Sequence, residues 1–150
     1  MEEKRVIHYV TKILLDIMFY GGLVALVVLP FALPALLAFI GASMRFRIAY
    51  TLILLSSGTC AVYIVYQLKR MFKTLLYGNP FVMQNVSCLR KCAVASALIA
   101  VIFAIRLYLW FTIASSIIVI IFSLLSLFSI AIKDLFKQAI AYKEETDWTV

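Results

Sequence analysis

Apolar residues run along the chain in long blocks that short polar or charged stretches separate. Blocks long enough to cross a membrane lie at 13–40, 48–68, 93–112 and 113–132, because a hydrocarbon core of ~30 Å needs about 20 apolar residues in a helix. A transmembrane β-barrel would show short alternating segments, whereas runs such as 117–121 are continuously apolar. The pattern therefore predicts an all-α, polytopic membrane protein with four transmembrane helices in a single domain.

The first block is longer than one span requires. As a single straight helix, residues 13–40 would extend about 42 Å at ~1.5 Å per residue, more than the hydrocarbon thickness. Pro30 and Pro34 each remove a backbone donor and crowd the preceding turn. We therefore expect a first span at 13–29, a helix that ends or kinks near Leu29, and a proline-broken extension to residue 40.

Residues 69–92 form a long central stretch that a bilayer would not accept. The helical pattern of the second span continues past Leu68 as far as Gly78, a residue that commonly follows a helix end. Asn79 and Pro80 then have the pattern of a helix start, an N-cap oxygen followed by a residue with no N–H to lose. Apolar positions recur at helical spacing after them and basic residues lie elsewhere on the helical wheel, which predicts an amphipathic helix between spans 2 and 3. Two roles stay open for this basic helix: it rests on the anionic inner leaflet, or it forms a docking surface for a protein partner.

Composition and charge add the orientation. The chain is 65% hydrophobic and 14% charged, whereas an ordinary soluble domain has about 25% charged residues. Most of its 14 Lys and Arg residues lie before residue 13, within 69–92 or within 133–150. Basic residues in short loops are retained in the cytoplasm, so we expect both termini and the central loop to be cytoplasmic.

Residues 133–150 form a tail after the fourth span. Its first half keeps an apolar helical face beside lysines, and it ends in the acidic sequence KEETDWTV. Because its acids share a compartment with the five cations of 69–92, we predict contact between the tail and the central loop. Each exposed ion pair would contribute less than ~1 kcal/mol to this contact.

Asp16 is the only acid between Glu3 and Asp134. An ionisable group within a span is a candidate functional site, and a titrating Asp16 would suit a proton-coupled transporter. Asp16 lies only about one turn, ~5 Å, into the span, where water and Lys12 are within reach. Interfacial pairing is therefore the simpler interpretation of this carboxylate.

No pattern for catalysis, metal binding or a cofactor occurs in the sequence. It has no nucleophile–base pair and no glycine-rich phosphate loop, and its single histidine, His8, has no evident partner. Cys88 and Cys92 lack the further ligands that a structural zinc site needs. We therefore predict a protein that is not an enzyme and has no cofactor. The net charge of +7 comes from cations at membrane-flanking positions, so we also predict no direct contact with nucleic acid.

Short motifs in the central loop and the tail resemble a known family. These motifs are Asn79-Pro80-Phe81-Val82, Asn85-Val86, Leu89-Arg90-Lys91, Phe136, Ala139 and the stretch 143–150. In these motifs and in the order of its spans, the chain resembles the YoaS-like family of small bacterial four-span membrane proteins, a domain of unknown function. Three positions differ: Gln84 stands where the family tends to have an acid, and Thr146 and Trp148 stand where it has Asn and Leu.

Genes of that family often lie beside a gene for a small Cro/CI-type helix-turn-helix regulator. The resemblance therefore implies a membrane-bound partner or antagonist of such a regulator, in the bacterial plasma membrane, that responds to an envelope or peptide signal. The residues expected to bind the partner are Asn79, Pro80, Phe81, Asn85, Leu89, Arg90, Lys91, Phe136, Glu144, Glu145 and Asp147.

Two other functions stay open at this point. One is a small proton-coupled drug or ion transporter that uses Asp16 as its titrating group. The other is an immunity protein against a membrane-active peptide. Besides the lipid bilayer and the regulator, a second copy of the chain is a candidate partner. Gly21 and Ala25 form a small-xxx-small pair that would let a neighbouring helix approach closely.

Overall fold

The computed structural model describes residues 2–149, with side chains for 6–76 and 78–149; Val150, the last residue of the predicted tail motif, lies outside this range. The described chain forms four long helices: α1 (Glu2–Phe39), α2 (Met44–Tyr77), α3 (Met83–Leu109) and α4 (Ile113–Trp148). All four are long and apolar enough to cross a membrane. The predicted all-α architecture with four membrane-crossing helices is therefore confirmed.

Helix α1 continues without interruption through both of its prolines. The helix does not end near Leu29, because Pro30 and Pro34 lie inside it and it ends only at Phe39, whereas the predicted alternative, a kink near Leu29, stays a prediction. Each proline removes one hydrogen bond, whereas a helix end within lipid would leave several backbone groups without a partner. The actual end is a Schellman motif, in which Gly41 has φ +78° and the Ala42 N–H donates to Leu37 O at 3.0 Å.

A five-residue corner, residues 78–82, joins α2 to α3. Helix α2 ends where the sequence predicts, with the Gly78 N–H donating to Thr74 O at 3.1 Å. The helix start predicted at Asn79 and Pro80 is wrong, because α3 begins at Met83. The predicted amphipathic segment forms the first turns of α3 and continues without a break into the span, since no Gly or Pro follows Pro80.

The helices approach one another in chain order, α1 against α2, α2 against α3, and α3 against α4. Helix α3 is the central element, and its buried Cys92, Ala95, Ile99 and Phe103 form the core with Ile64 of α2. No described side chain of α1 is buried. Much of the apolar surface of α1 is therefore free to contact lipid, and the predicted homo-oligomer stays a prediction.

Glycines set the close approach of α1 to α2. A Cβ added at Gly22 would lie 2.7 Å from Val62 Cγ2, and one added at Gly58 would lie 3.0 Å from Leu26 Cδ2. Gly21, which the sequence marks as a contact position, would meet nothing within 4 Å. The close contact is therefore made by the adjacent glycine, which faces α2.

Charged side chains lie in two layers near the ends of the helices. At the end that holds the turns 40–43 and 110–112, here called the turn end, Arg106 donates to Ser115 Oγ and lies 4.8 Å from the Tyr50 ring centroid. At the end that holds residues 78–82, here called the corner end, Asp16 pairs with Lys69. Tyr50 and Lys69 are separated on α2 by about 28 Å at ~1.5 Å per residue, close to the ~30 Å thickness of a hydrocarbon core.

Candidate functional site

The corner between α2 and α3 is held by one buried amide. Thr74 Oγ1 donates to Asn85 Oδ1 at 2.8 Å, and Asn85 Nδ2 donates to the carbonyl oxygen of Pro80 at 2.7 Å. Asn85 is only 1% exposed, and a buried amide must find such partners to avoid an unfavourable desolvation energy. Asn85, predicted from the sequence to bind a partner, therefore braces the corner from beneath.

Asn79 and Phe81 form the outer side of the corner. The Phe81 N–H donates to Asn79 Oδ1 at 3.2 Å, so Asn79 stabilises an Asx turn instead of capping a helix. The Phe81 and Phe136 rings meet edge to face with centroids 5.3 Å apart, a favourable aromatic geometry. Phe81 remains 43% exposed, so this aromatic pair presents apolar surface beside the corner.

The tail meets the central loop through this aromatic contact. Glu144, Glu145 and Asp147 lie on the exposed final turns of α4, about 12 Å or more beyond Phe136 at ~1.5 Å per residue. The ion pairs among the described side chains are Lys69–Asp16 and Lys133–Asp134. The predicted ion pairs between tail acids and loop cations are therefore not formed in that part of the chain.

An open concavity of about 640 Å³, called the corner cavity below, lies beside the corner. Its polar walls come from Arg70, Lys73 and Thr74 of α2, Asn79 of the corner and Gln84 of α3. Among the side chains that the structure describes, no acid lines it and neither cation is paired with an acid. The cavity is thus suited to an anionic group, such as a carboxylate of a docked protein.

The sequence named Asn79 at this site but not the cavity's other polar residues. Arg70 and Lys73 are visible as part of a basic stretch, yet their direction is a property of the folded helix. Their spacing is the signal that was available: Tyr66, Arg70 and Lys73 recur at intervals of four and three, which places them on one face of α2. The sequence does not show what this face of α2 lies against, because that depends on how α3 packs on α2.

The remaining predicted partner-binding residues are not gathered at the corner. Leu89 is 5% exposed and belongs to the buried face of α3. Arg90 and Lys91 are exposed and line a different concavity between α2 and α3. The structure thus brings Asn79, Pro80, Phe81, Asn85 and Phe136 together and separates them from the other predicted residues.

Asp16 is paired with a lysine of another helix. Its Oδ1 lies 2.6 Å from Lys69 Nζ, and each side chain is 34% exposed. Lys69 Nζ also lies 5.1 Å and 5.0 Å from the ring centroids of Phe19 and Tyr20. The sequence pointed to Lys12 as the nearest cation, because spacing within one helix reveals local partners but not those across a helix interface.

Within the described residues, no group of three or more His, Cys, Asp and Glu side chains is placed to hold a metal ion. Cys88 and Cys92 are buried in α3 as free thiols.

Four apolar helices of spanning length, with charged layers toward both ends, define a multi-pass α-helical membrane protein that contacts the lipid bilayer. Residues 4–150 match the family described as "Protein of unknown function (DUF2975)", and the chain belongs to that family. No curated protein and no solved structure matches the chain.

Proposed function

We propose that the chain is a membrane-bound partner of a small soluble protein, which it binds at its corner end. The observation that supports this function is the corner surface. There an exposed aromatic, Phe81, stands on a corner braced by Asn85, beside a cavity with two cations that no described acid neutralises. Aromatic and arginine anchors on a rigid surface are typical of residues that dominate binding energy at protein interfaces.

The partner that the resemblance to the YoaS-like family favours is a small Cro/CI-type helix-turn-helix regulator. A DNA-binding protein carries a basic face that neutralises phosphates. Glu144, Glu145 and Asp147 are exposed, and none of them belongs to an ion pair among the described side chains. These acids would bind the basic face of the regulator and compete with DNA for it, which is a physical route to antagonism.

This proposal requires the corner end to face the cytoplasm of a bacterial cell. The support comes from the distribution of Lys and Arg, which concentrate in 69–92, in the tail and before residue 13. The antiparallel helices bring all three of these regions to the corner end, as the contacts His8–Phe72 and Phe81–Phe136 indicate. A single orientation, with the corner end in the cytoplasm, therefore places all three basic regions on the side where Lys and Arg are retained.

The test is to co-express the tagged chain with the regulator encoded beside its gene and to purify it in a mild detergent. We expect the regulator to co-purify with the wild-type chain and to be lost from Phe81→Ala. Phe111→Ala is the matched control, because Phe111 is a 78% exposed aromatic at the turn end. Failure of the regulator to co-purify with the wild-type chain would contradict the proposal.

The transporter alternative has less support from the geometry. Its titrating group would be Asp16, whose carboxylate has a fixed counterion in Lys69 at 2.6 Å. This pair gives the carboxylate a structural role, because it joins α1 to α2. The immunity function stays a prediction, as does the envelope or peptide signal.

A further inference from the structure

A second concavity follows the boundary between α2 and α3 on the bilayer side of the corner cavity. It has a volume of about 480 Å³. The half-buried Cys60 and the buried Ala95 lie in its floor, and Tyr63, Val94 and Leu98 form apolar walls. The small floor residues leave room for an elongated apolar group between the two helices. This concavity is called the interhelical groove below.

Cations stand at one end of the interhelical groove only. Arg90 and Lys91 line it, both are exposed, and no Asp or Glu is among its lining residues. The ion pairs among the described side chains use Lys69 and Lys133, so the charges of Arg90 and Lys91 are not neutralised there. The groove therefore favours an occupant with negative charge at one end and an apolar remainder.

The depth of these cations matches that of a lipid headgroup. Cys92 of α3 lies level with Ile64 of α2, since its Sγ is 4.0 Å from the Ile64 carbonyl oxygen. Arg90 and Lys91 are consequently within about one helical turn of Lys69, at the charged layer of the corner end. Leu98 lies about 12 Å from Arg90 at ~1.5 Å per residue, toward the middle of the bilayer.

We propose that the interhelical groove is a binding site for an anionic glycerophospholipid. Arg90 and Lys91 bind its phosphodiester and the further negative charge of its headgroup, and one acyl chain lies along Tyr63, Val94 and Leu98. Basic pockets between membrane helices are suited to anionic headgroups, and a guanidinium matches phosphate geometry. A free phosphate would use only the cations, whereas the lipid uses the apolar walls as well.

The test is a native mass spectrometry titration of the purified chain, without any soluble partner, in detergent. Phosphatidylglycerol and phosphatidylcholine with identical acyl chains are compared, and inorganic phosphate is added as a competitor. We expect phosphatidylglycerol to bind more tightly than phosphatidylcholine and to resist equimolar phosphate. Arg90→Gln/Lys91→Gln should weaken phosphatidylglycerol binding by about tenfold or more.

The matched control is Lys137→Gln/Lys143→Gln, which removes the same charge from exposed positions of α4 outside the groove. We expect its affinity for phosphatidylglycerol to equal that of the wild-type chain. Val94→Trp fills the groove at a position that is 56% exposed and leaves both cations in place, and it should weaken the binding of both lipids.

Equal affinities for the two lipids would overturn the proposal. So would an equal loss of affinity in the two double variants, since that would show a general charge effect. Displacement of the lipid by equimolar phosphate would assign the site to a free anion instead. The titration involves no regulator, so its outcome is independent of the co-purification experiment and of the function proposed above.

Discussion

Thr74 Oγ1 donates a hydrogen bond of 2.8 Å to Asn85 Oδ1 and thereby joins the last turns of α2 to the first turn of α3. The same amide donates to the Pro80 carbonyl oxygen at 2.7 Å. One buried side chain thus links two helices and the corner between them. The exposed residues of the corner, including Phe81, depend on this brace for their position.

Asn85→Leu should destabilise the folded chain by about 0.5–1.5 kcal/mol for each hydrogen bond lost, because the corner would lose its links to Thr74 and to the Pro80 carbonyl. The loss per bond stays modest, because the Thr74 hydroxyl can still donate to Met71 O and the Pro80 carbonyl still accepts from the Val82 N–H. Thermal unfolding in detergent measures this change. Gln84→Leu is the matched control, because Gln84 is the exposed neighbour of Asn85, and it should shift the melting temperature much less. An equal shift for the two variants would show that the amide does not brace the corner.

Gly22→Ala should weaken the packing of α1 on α2. The added Cβ would lie 2.7 Å from Val62 Cγ2, and a β-branched valine has little freedom to move aside. Gly21→Ala is the control, because its Cβ would meet nothing within 4 Å. We expect a lower melting temperature for Gly22→Ala only, and recovery when Val62→Ala is added. A drop for Gly21→Ala of the same size would contradict this helix orientation.

Lys69→Ala should lower stability more than Asp16→Asn does. Removal of Lys69 eliminates both its ion pair and its contacts with the Phe19 and Tyr20 rings, and cation–π contacts are worth about 0.5–1 kcal/mol at exposed sites. Asp16→Asn removes the ion pair alone, and its effect should shrink as salt is added, because both side chains are partly solvated. Melting temperatures at low and high ionic strength measure both effects.

The same Asp16→Asn variant separates two functions. Under the proposed function it should bind the regulator as the wild-type chain does, because Asp16 is not part of the corner surface. In liposomes it should show no loss of substrate-driven proton movement relative to the wild-type chain. Abolished proton movement in this variant, with the wild-type chain active, would favour the transporter instead.

Regulator capture should depend on salt and on the acidic end of α4. Glu144→Lys/Glu145→Lys should reduce the affinity for the regulator and the decline of that affinity with salt, because exposed charges act through a screened field. A binding titration at several salt concentrations measures both. Asp134→Lys is the control, since Asp134 already pairs with Lys133. An unchanged affinity for the double variant would exclude the tail acids from the interface.

Helix content and the number of membrane-crossing helices were determined by the sequence alone. A long apolar run must become a helix in lipid, because each backbone donor and acceptor has to be paired within the segment itself. The same requirement overrode the local preference of Pro30 and Pro34 for a helix end. Gly78 was also predictable, since the end of α2 depends on local backbone chemistry.

Only the tertiary structure decided which residues meet. The rotation of each helix selects Gly22 over Gly21 for contact with α2 and selects Lys69 over Lys12 as the partner of Asp16. The packing of α2 on α3 also buries Asn85 and directs Arg70 toward the corner cavity. The hydropathy of a segment depends only on its own residues. These contacts depend instead on the rotation and register of one helix against another, which residues far apart in the chain set together.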